Sequence, residues 1–150
     1  MRKIVFHYPN GAAVIGTLKD VEEPELSDSL WRYLETPQRF ICHNNLSTGY
    51  SYGAHSRPSR SPGKIGFMGS PIGNHPVSYT EVHAGEMVWT GTRFFIAYGK
   101  CTEPGIMGAI TVQIDPEYMD AFIEASNDVW RHTYEYHKLA VISAERGEVN

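Results

Sequence analysis

Residues 42–57 hold the densest run of side chains able to move protons or grip a polar ligand: Cys42-His43-Asn44-Asn45-Leu46-Ser47-Thr48-Gly49-Tyr50-Ser51-Tyr52-Gly53-Ala54-His55-Ser56-Arg57. Histidine titrates near neutrality, so His43 is the natural acid or base, with Tyr50 beside it as a second catalytic candidate. Side chains alternate along a strand, which puts Tyr50 and Tyr52 on one face. If the flanking strands line the mouth of a barrel, His43, Tyr50, Tyr52 and His55 converge there, with Ser47 in the turn. A plainer reading makes this a polar hairpin whose hydroxyls satisfy turn backbone groups.

The second candidate segment is Gly73-Asn74-His75-Pro76-Val77-Ser78-Tyr79-Thr80-Glu81-Val82-His83. It places His75, as a further catalytic candidate, and Tyr79, as a binding residue, on a loop-rich stretch of the kind that carries function on rigid scaffolds. His75 and His83, with His43 or His55 and Glu81, form a conceivable metal set. Metal sites usually declare themselves by tight spacings such as H-x-x-x-H or C-x-x-C, and none is present, so neither metal nor other cofactor is expected. Arg57, Arg60 and Lys64 place three positive charges on a Pro/Ser loop. Arg57 is the one suited to hold a carboxylate or phosphate, while a merely solvated loop is the bland alternative. Folded over the mouth, that loop becomes a lid.

Covalent catalysis finds no support. Cys42 and His43 are neighbours on a strand and point to opposite faces, Cys101 has no assignable partner histidine, and Ser47 lacks a nucleophile-elbow context. Both cysteines are expected to be reduced and buried.

The elements that position these residues follow from turns and periodicity. Lys3 to Tyr8, Pro9-Asn10-Gly11 and Ala12 to Leu18 read as a hairpin. Pro24 opens a helix with Glu22, Glu23 and Glu25 near its positive end. Leu26, Leu30, Trp31 and Leu34 form its apolar face, Ser27, Asp28, Arg32 and Glu35 fall opposite, and Pro37 ends it. Arg39 to Ser56 reads as a second hairpin, and Ser56 to Pro76 as loop. Short strands follow at Val77 to Tyr79, Met87 to Trp89, Phe94 to Tyr98 and Ala109 to Ile114. Asp115 as N-cap and Pro116 open the longest helix, to about His137, striped by Met119, Ile123, Ser126 and Trp130. Leu139 to Ser143 closes the chain as a strand. Short strands broken by Gly/Pro turns and only two helices predict a barrel or sandwich rather than a parallel α/β fold.

Composition bounds the function. The chain has 150 residues, enough for one domain over 1–150 with a core of its own. With 13 basic and 17 acidic residues the net charge is −4, which argues against a nucleic-acid partner. No apolar run approaches the roughly 20 residues that cross a bilayer, and His7 interrupts the N-terminal apolar run, so neither a membrane span nor a secretory signal is expected and the cytoplasm is the expected compartment. His132, Tyr134, Tyr136 and His137 spread around the last helix and suit a subunit interface, so a homo-oligomer is expected.

Leu30-Trp31, His43, Ser47 with Gly49, Asn74 to Tyr79, Gly85-Glu86 and Ile96-Ala97-Tyr98-Gly99, taken in order, resemble the small bacterial cyclophilin-like proteins of unknown function. The resemblance implies a mainly β fold, a closed cyclophilin-like β-barrel with two α-helices, over nearly the whole chain. It supplies no mechanism. Arg93-Phe94-Phe95 is the nearest string to the prolyl-isomerase signature of true cyclophilins, but alternation sends Arg93 and Phe94 to opposite faces, which favours a structural role.

The expectation is therefore a small-molecule pocket protein, an enzyme using His43 as acid or base on a small polar or anionic substrate. Tyr50, Tyr52 and Tyr98 orient that substrate and Arg57 holds its charge. The alternatives are a non-catalytic binding module and, more remotely, a peptidyl-prolyl isomerase.

Overall fold

Gly11, at φ +90°, lets the chain turn tightly after Tyr8, and the Gly11 N–H donates to the Tyr8 carbonyl at 3.0 Å. That turn folds strand β1 (Arg2–His7) antiparallel onto β2 (Ala13–Leu18), pairing Lys3 with Thr17 and His7 with Ala13. The computed structural model describes residues 1–45, 49–56, 73–102 and 106–149. The other strands are β3 (Gln38–Asn44), β4 (Gly49–Ser56), β5 (Pro76–Ser78), β6 (Glu86–Trp89), β7 (Arg93–Cys101), β8 (Met107–Ile114) and β9 (Val141–Val149).

The ladder runs β2–β1–β9–β3–β4–β7–β6–β8, and β2 pairs again with β8. Eight antiparallel strands thus close into a barrel, which removes the unpaired edges an open sheet would present. β5 adds to β8 beside the end of β2.

Alternation divides the side chains between two cores. Phe94, Ile96 and Tyr98 of β7 join Ile4, Phe6, Phe40, Tyr52 and Trp89 inside the barrel. Phe95, Ala97 and Cys101 point outward and pack with Tyr79, Val82 and Val88 in a smaller outer cluster. Inside, Phe6, Phe40, Trp89 and Phe94 meet with ring centroids 4.8–6.3 Å apart, mostly edge to face, so side chains fill the barrel.

Helix α1 (Pro24–Tyr33) buries Leu26 and Leu30, and Leu34 just beyond it, as the heptad-like spacing predicts. Ser27 is buried too, and Trp31 stays partly exposed with Arg146 4.7 Å from its ring centroid, so the helix is turned somewhat from the expected face. Asp115 stands at the N-cap of a 3-10 turn that leads into the last helix, with Pro116 following it, but its side chain makes no capping hydrogen bond. Its carboxylate takes a hydrogen bond from Thr17 at 2.5 Å and an ion pair from Lys3 at 2.8 Å, and Pro116–Tyr118 forms a 3-10 turn before α2 (Met119–Tyr134) begins. The buried face of α2 is Phe122, Ala125, Ser126 and Val129; Trp130, placed in the stripe on sequence, is 38% exposed. The closing strand is longer than its apolar start, because Glu145 to Val149 pair with β1 despite their polarity.

Candidate functional site

Side chains fill the barrel interior, Tyr52 among them. Tyr52, expected at a mouth, is fully buried, and its hydroxyl links those of Tyr8 at 2.7 Å and Ser126 at 2.9 Å. Burial raises both phenols well above their ordinary range, so the chain of hydroxyls is neutral and structural.

Against β4 and β7 lies a hollow of about 250 Å³ lined by Asn45, Gly53, His55, Tyr79, Thr90, Arg93, Phe94, Phe95 and Ile106. Its parts are set by register. His55 and Arg93 are direct partners across the β4–β7 ladder, and Gly53 pairs with Phe95. A Cβ on Gly53 would approach His55 Nε2 to 3.0 Å, so glycine lets the imidazole lean across the strand. The β6–β7 turn holds Arg93 in place, since the Thr90 N–H and hydroxyl both donate to the Arg93 carbonyl, at 2.9 and 3.0 Å.

Tyr79 reaches this face through a 3-10 turn (Tyr79–Glu81) whose N-cap, Ser78, accepts from the Thr80 N–H. Its ring stacks on Phe95 at 3.8 Å and 17°. Gly108 makes room, because a Cβ there would meet Tyr79 Cε1 at 3.0 Å and Val88 at 2.6 Å. Burial pushes the Tyr79 phenol up to about 12 against the opposing pull of Arg93.

Charge in the hollow is one-sided. Burial first, then His43 and Arg93, hold the His55 imidazole below its ordinary value of 6.5, so it is neutral at pH 7 and able to accept a proton. Among the described residues the Arg93 guanidinium has neither a carboxylate partner nor a hydrogen-bond acceptor. An unpaired guanidinium beside an aromatic stack is suited to a flat molecule bearing an anion.

The residues singled out on sequence separate into groups. His43 points outward from β3 with its ring edge-on to His55 at 4.9 Å, and it also borders a groove of about 490 Å³ with Tyr134, His137 and Lys138. Tyr50 and Tyr98 lie together, 5.9 Å apart, in a different cleft beside Trp130. His43 and Tyr50 therefore do not share a pocket. His75 is 71% exposed and sits at the start of α1, where the buried Glu23 carboxylate accepts the N–H groups of Asn74 at 2.5 Å and His75 at 2.6 Å. Ser47, Arg57, Arg60 and Lys64 lie outside the described residues.

Sequence reasoning weighed Arg93 and Phe95 only as a prolyl-isomerase string and gave them a structural role, and it named Asn45 only within the 42–57 run, without a role of its own. Parity held the signal, since Arg93 and Phe95 share a face, but pairing with His55 becomes visible only with the register. Among the described residues, no three His, Cys, Asp or Glu side chains gather as a metal set. Cys42 and Cys101 are free, buried thiols, both pushed up by burial, Cys42 to about 12. Neither is poised as a nucleophile.

Closed antiparallel barrel, two helices and a pocket on the outer strand face define the architectural class. No protein-family model and no curated protein matches this sequence. Eight chains of solved structures match it in three dimensions, among them McbB, solved in complex with tryptophan. The two chains are 21% identical, with a TM-score of 0.80 over 98% of this chain and 46% of McbB. The chain spans about half of McbB's length, and the likeness is one of fold. No helix among the described residues is long and apolar enough to cross a membrane.

Proposed function

We propose that this chain is a small-molecule pocket protein whose ligand is a flat, anionic molecule of the aromatic amino-acid class. One observation carries the reading: the Arg93 guanidinium, unpaired among the described residues, lies on the same outer face as the Tyr79–Phe95 stack. Taking an Arg partly out of water without a partner costs free energy, and a carboxylate received there returns it through a bidentate, charge-assisted pair. The rings supply the apolar contact, and Asn45 and Thr90 supply polar groups to the lining. McbB's complex with tryptophan supports a ligand of this kind on a barrel of this shape.

Within the pocket His55 is the group suited to accept a proton from the bound molecule, with His43 edge-on behind it. Acid–base turnover is thus the favoured form of the function, and simple binding is the alternative. The reading keeps 1–150 as one cyclophilin-like unit working in the cytoplasm and self-associating through α2.

Amide chemical-shift mapping tests it. Titrated L-tryptophan is expected to move Gly53, His55, Tyr79, Arg93 and Phe95 together, with saturation. Shifts confined to other surfaces, or none, would contradict the assignment. Consumption of the ligand in the wild type but not in His55→Gln separates turnover from binding.

A further inference from the structure

A second cleft, of about 220 Å³, lies where the β3–β4 hairpin meets β7 and α2, between Tyr50, Tyr98 and Trp130, with Asn44, Asn45 and Ser51 as its polar lining. The backbone is shaped around it. The β4–β7 register shifts between Gly49 and Ser51, and Gly49 takes φ +90°, where a Cβ would run into the Lys100 carbonyl oxygen. Gly99 opposite has no side chain, and a Cβ there would come within 2.8 Å of Tyr50 Cβ. These glycines let Tyr50 lie across β7, 60% exposed, with its ring at 81° to that of Tyr98.

Asn44 gives the second, independent sign of a ligand. Among the described residues its side-chain oxygen is buried with no hydrogen-bond partner, while its amide nitrogen donates to the Thr133 hydroxyl at 2.8 Å. A buried acceptor normally finds a donor, and this residue lines the cleft beside Tyr98. Trp130 closes the opposite side, 38% exposed although large and apolar, with Tyr134 at 5.1 Å behind it.

Among the described residues the lining contains no charged side chain, in a chain of net charge −4. No group there would hold a carboxylate or phosphate. Three electron-rich rings around a small space instead favour a positive charge at their faces. We propose that the Tyr50–Tyr98–Trp130 cleft binds a small organic cation of the alkylammonium class, with the Tyr98 hydroxyl and the Asn44 and Asn45 amides taking a polar group on that cation. The site is distinct from the Arg93 pocket, sharing only Asn45 with it among the described residues.

Choline is the probe, with 3,3-dimethylbutan-1-ol as its uncharged isostere, titrated calorimetrically into the whole chain. Choline is expected to bind saturably and the isostere roughly tenfold or more weakly. Trp130→Ala is expected to lose at least about tenfold in choline affinity while Trp130→Phe keeps most of it, and Arg93→Ala leaves it unchanged. Equal binding of choline and the isostere, no saturable binding, or full affinity in a folded Trp130→Ala would overturn the proposal. Should Trp130→Ala not fold, Tyr50→Ala is read in the same way.

Discussion

His55 and Arg93 are paired residues on adjacent strands, both directed outward, and the guanidinium helps to keep the imidazole neutral. Any anion bound to Arg93 offsets one of the influences that lower His55, the others being burial and His43, so binding raises the proton affinity of His55. Affinity for an aromatic carboxylate is therefore expected to rise as pH falls from about 8 towards the His55 range, then level off below it. Calorimetry in two buffers of different ionisation enthalpy is expected to show proton uptake in the wild type and none in His55→Asn. Absence of uptake in the wild type would contradict the coupling.

The hydroxyl chain Tyr8–Tyr52–Ser126 gives a prediction on stability alone. Tyr52→Phe removes the central hydroxyl and leaves two buried hydroxyls short of a partner. The expected loss is about 1–2 kcal/mol by urea unfolding, with the m-value unchanged. Ligand binding at Arg93 is expected to persist.

Alkaline pH acts on both buried clusters. Cys42 and Tyr79 are pushed up to about 12, and Tyr8 and Tyr52 are raised as well, all chiefly by burial. In the unfolded chain these groups ionise near their ordinary values of 9.0 and 10.0, while the folded chain keeps their protons. Above those values the unfolded state binds fewer protons, so their stabilising contribution is whole below about pH 9 and declines as pH rises towards 12. Circular dichroism is expected to report unfolding in step with phenolate absorbance. Full phenolate absorbance from a still-folded chain would be the contrary result.

Glu23 ties the segment after residue 72 to α1 through two backbone N–H groups. Glu23→Ala leaves those donors unpaired, at a cost of about 2 kcal/mol. Hydrogen exchange at Asn74 and His75 is expected to accelerate at least about tenfold relative to β7 amides.

The fold was largely legible because its signals are local. Pro9-Asn10-Gly11 and Thr90-Gly91-Thr92 announce hairpins, and Leu26, Leu30 and Leu34 mark a buried helix face. Strand β9 was half visible, since Glu145 to Val149 carry no apolar pattern and are ordered by pairing with β1. Asp115 looked like a cap, but long-range partners, Lys3 and Thr17, claimed its carboxylate. The site was less legible for a related reason. Alternation groups Tyr50 with Tyr52, but Tyr52 fills the barrel while Tyr50, at a register shift in β4, is 60% exposed, and nothing local says this or that residues 77–82 cover the outer face of β7. Arg93 stayed hidden because its meaning lies in residue 55 across the ladder.

The pocket assignment is tested most directly by calorimetric titration of indole-3-acetate and its uncharged analogue indole-3-acetamide into the wild type and Arg93→Ala. Expected is saturable binding of the acid to the wild type alone, with the amide and the variant each weaker by roughly tenfold or more. Equal affinity for acid and amide, or an acid that binds Arg93→Ala as tightly as the wild type, would contradict it.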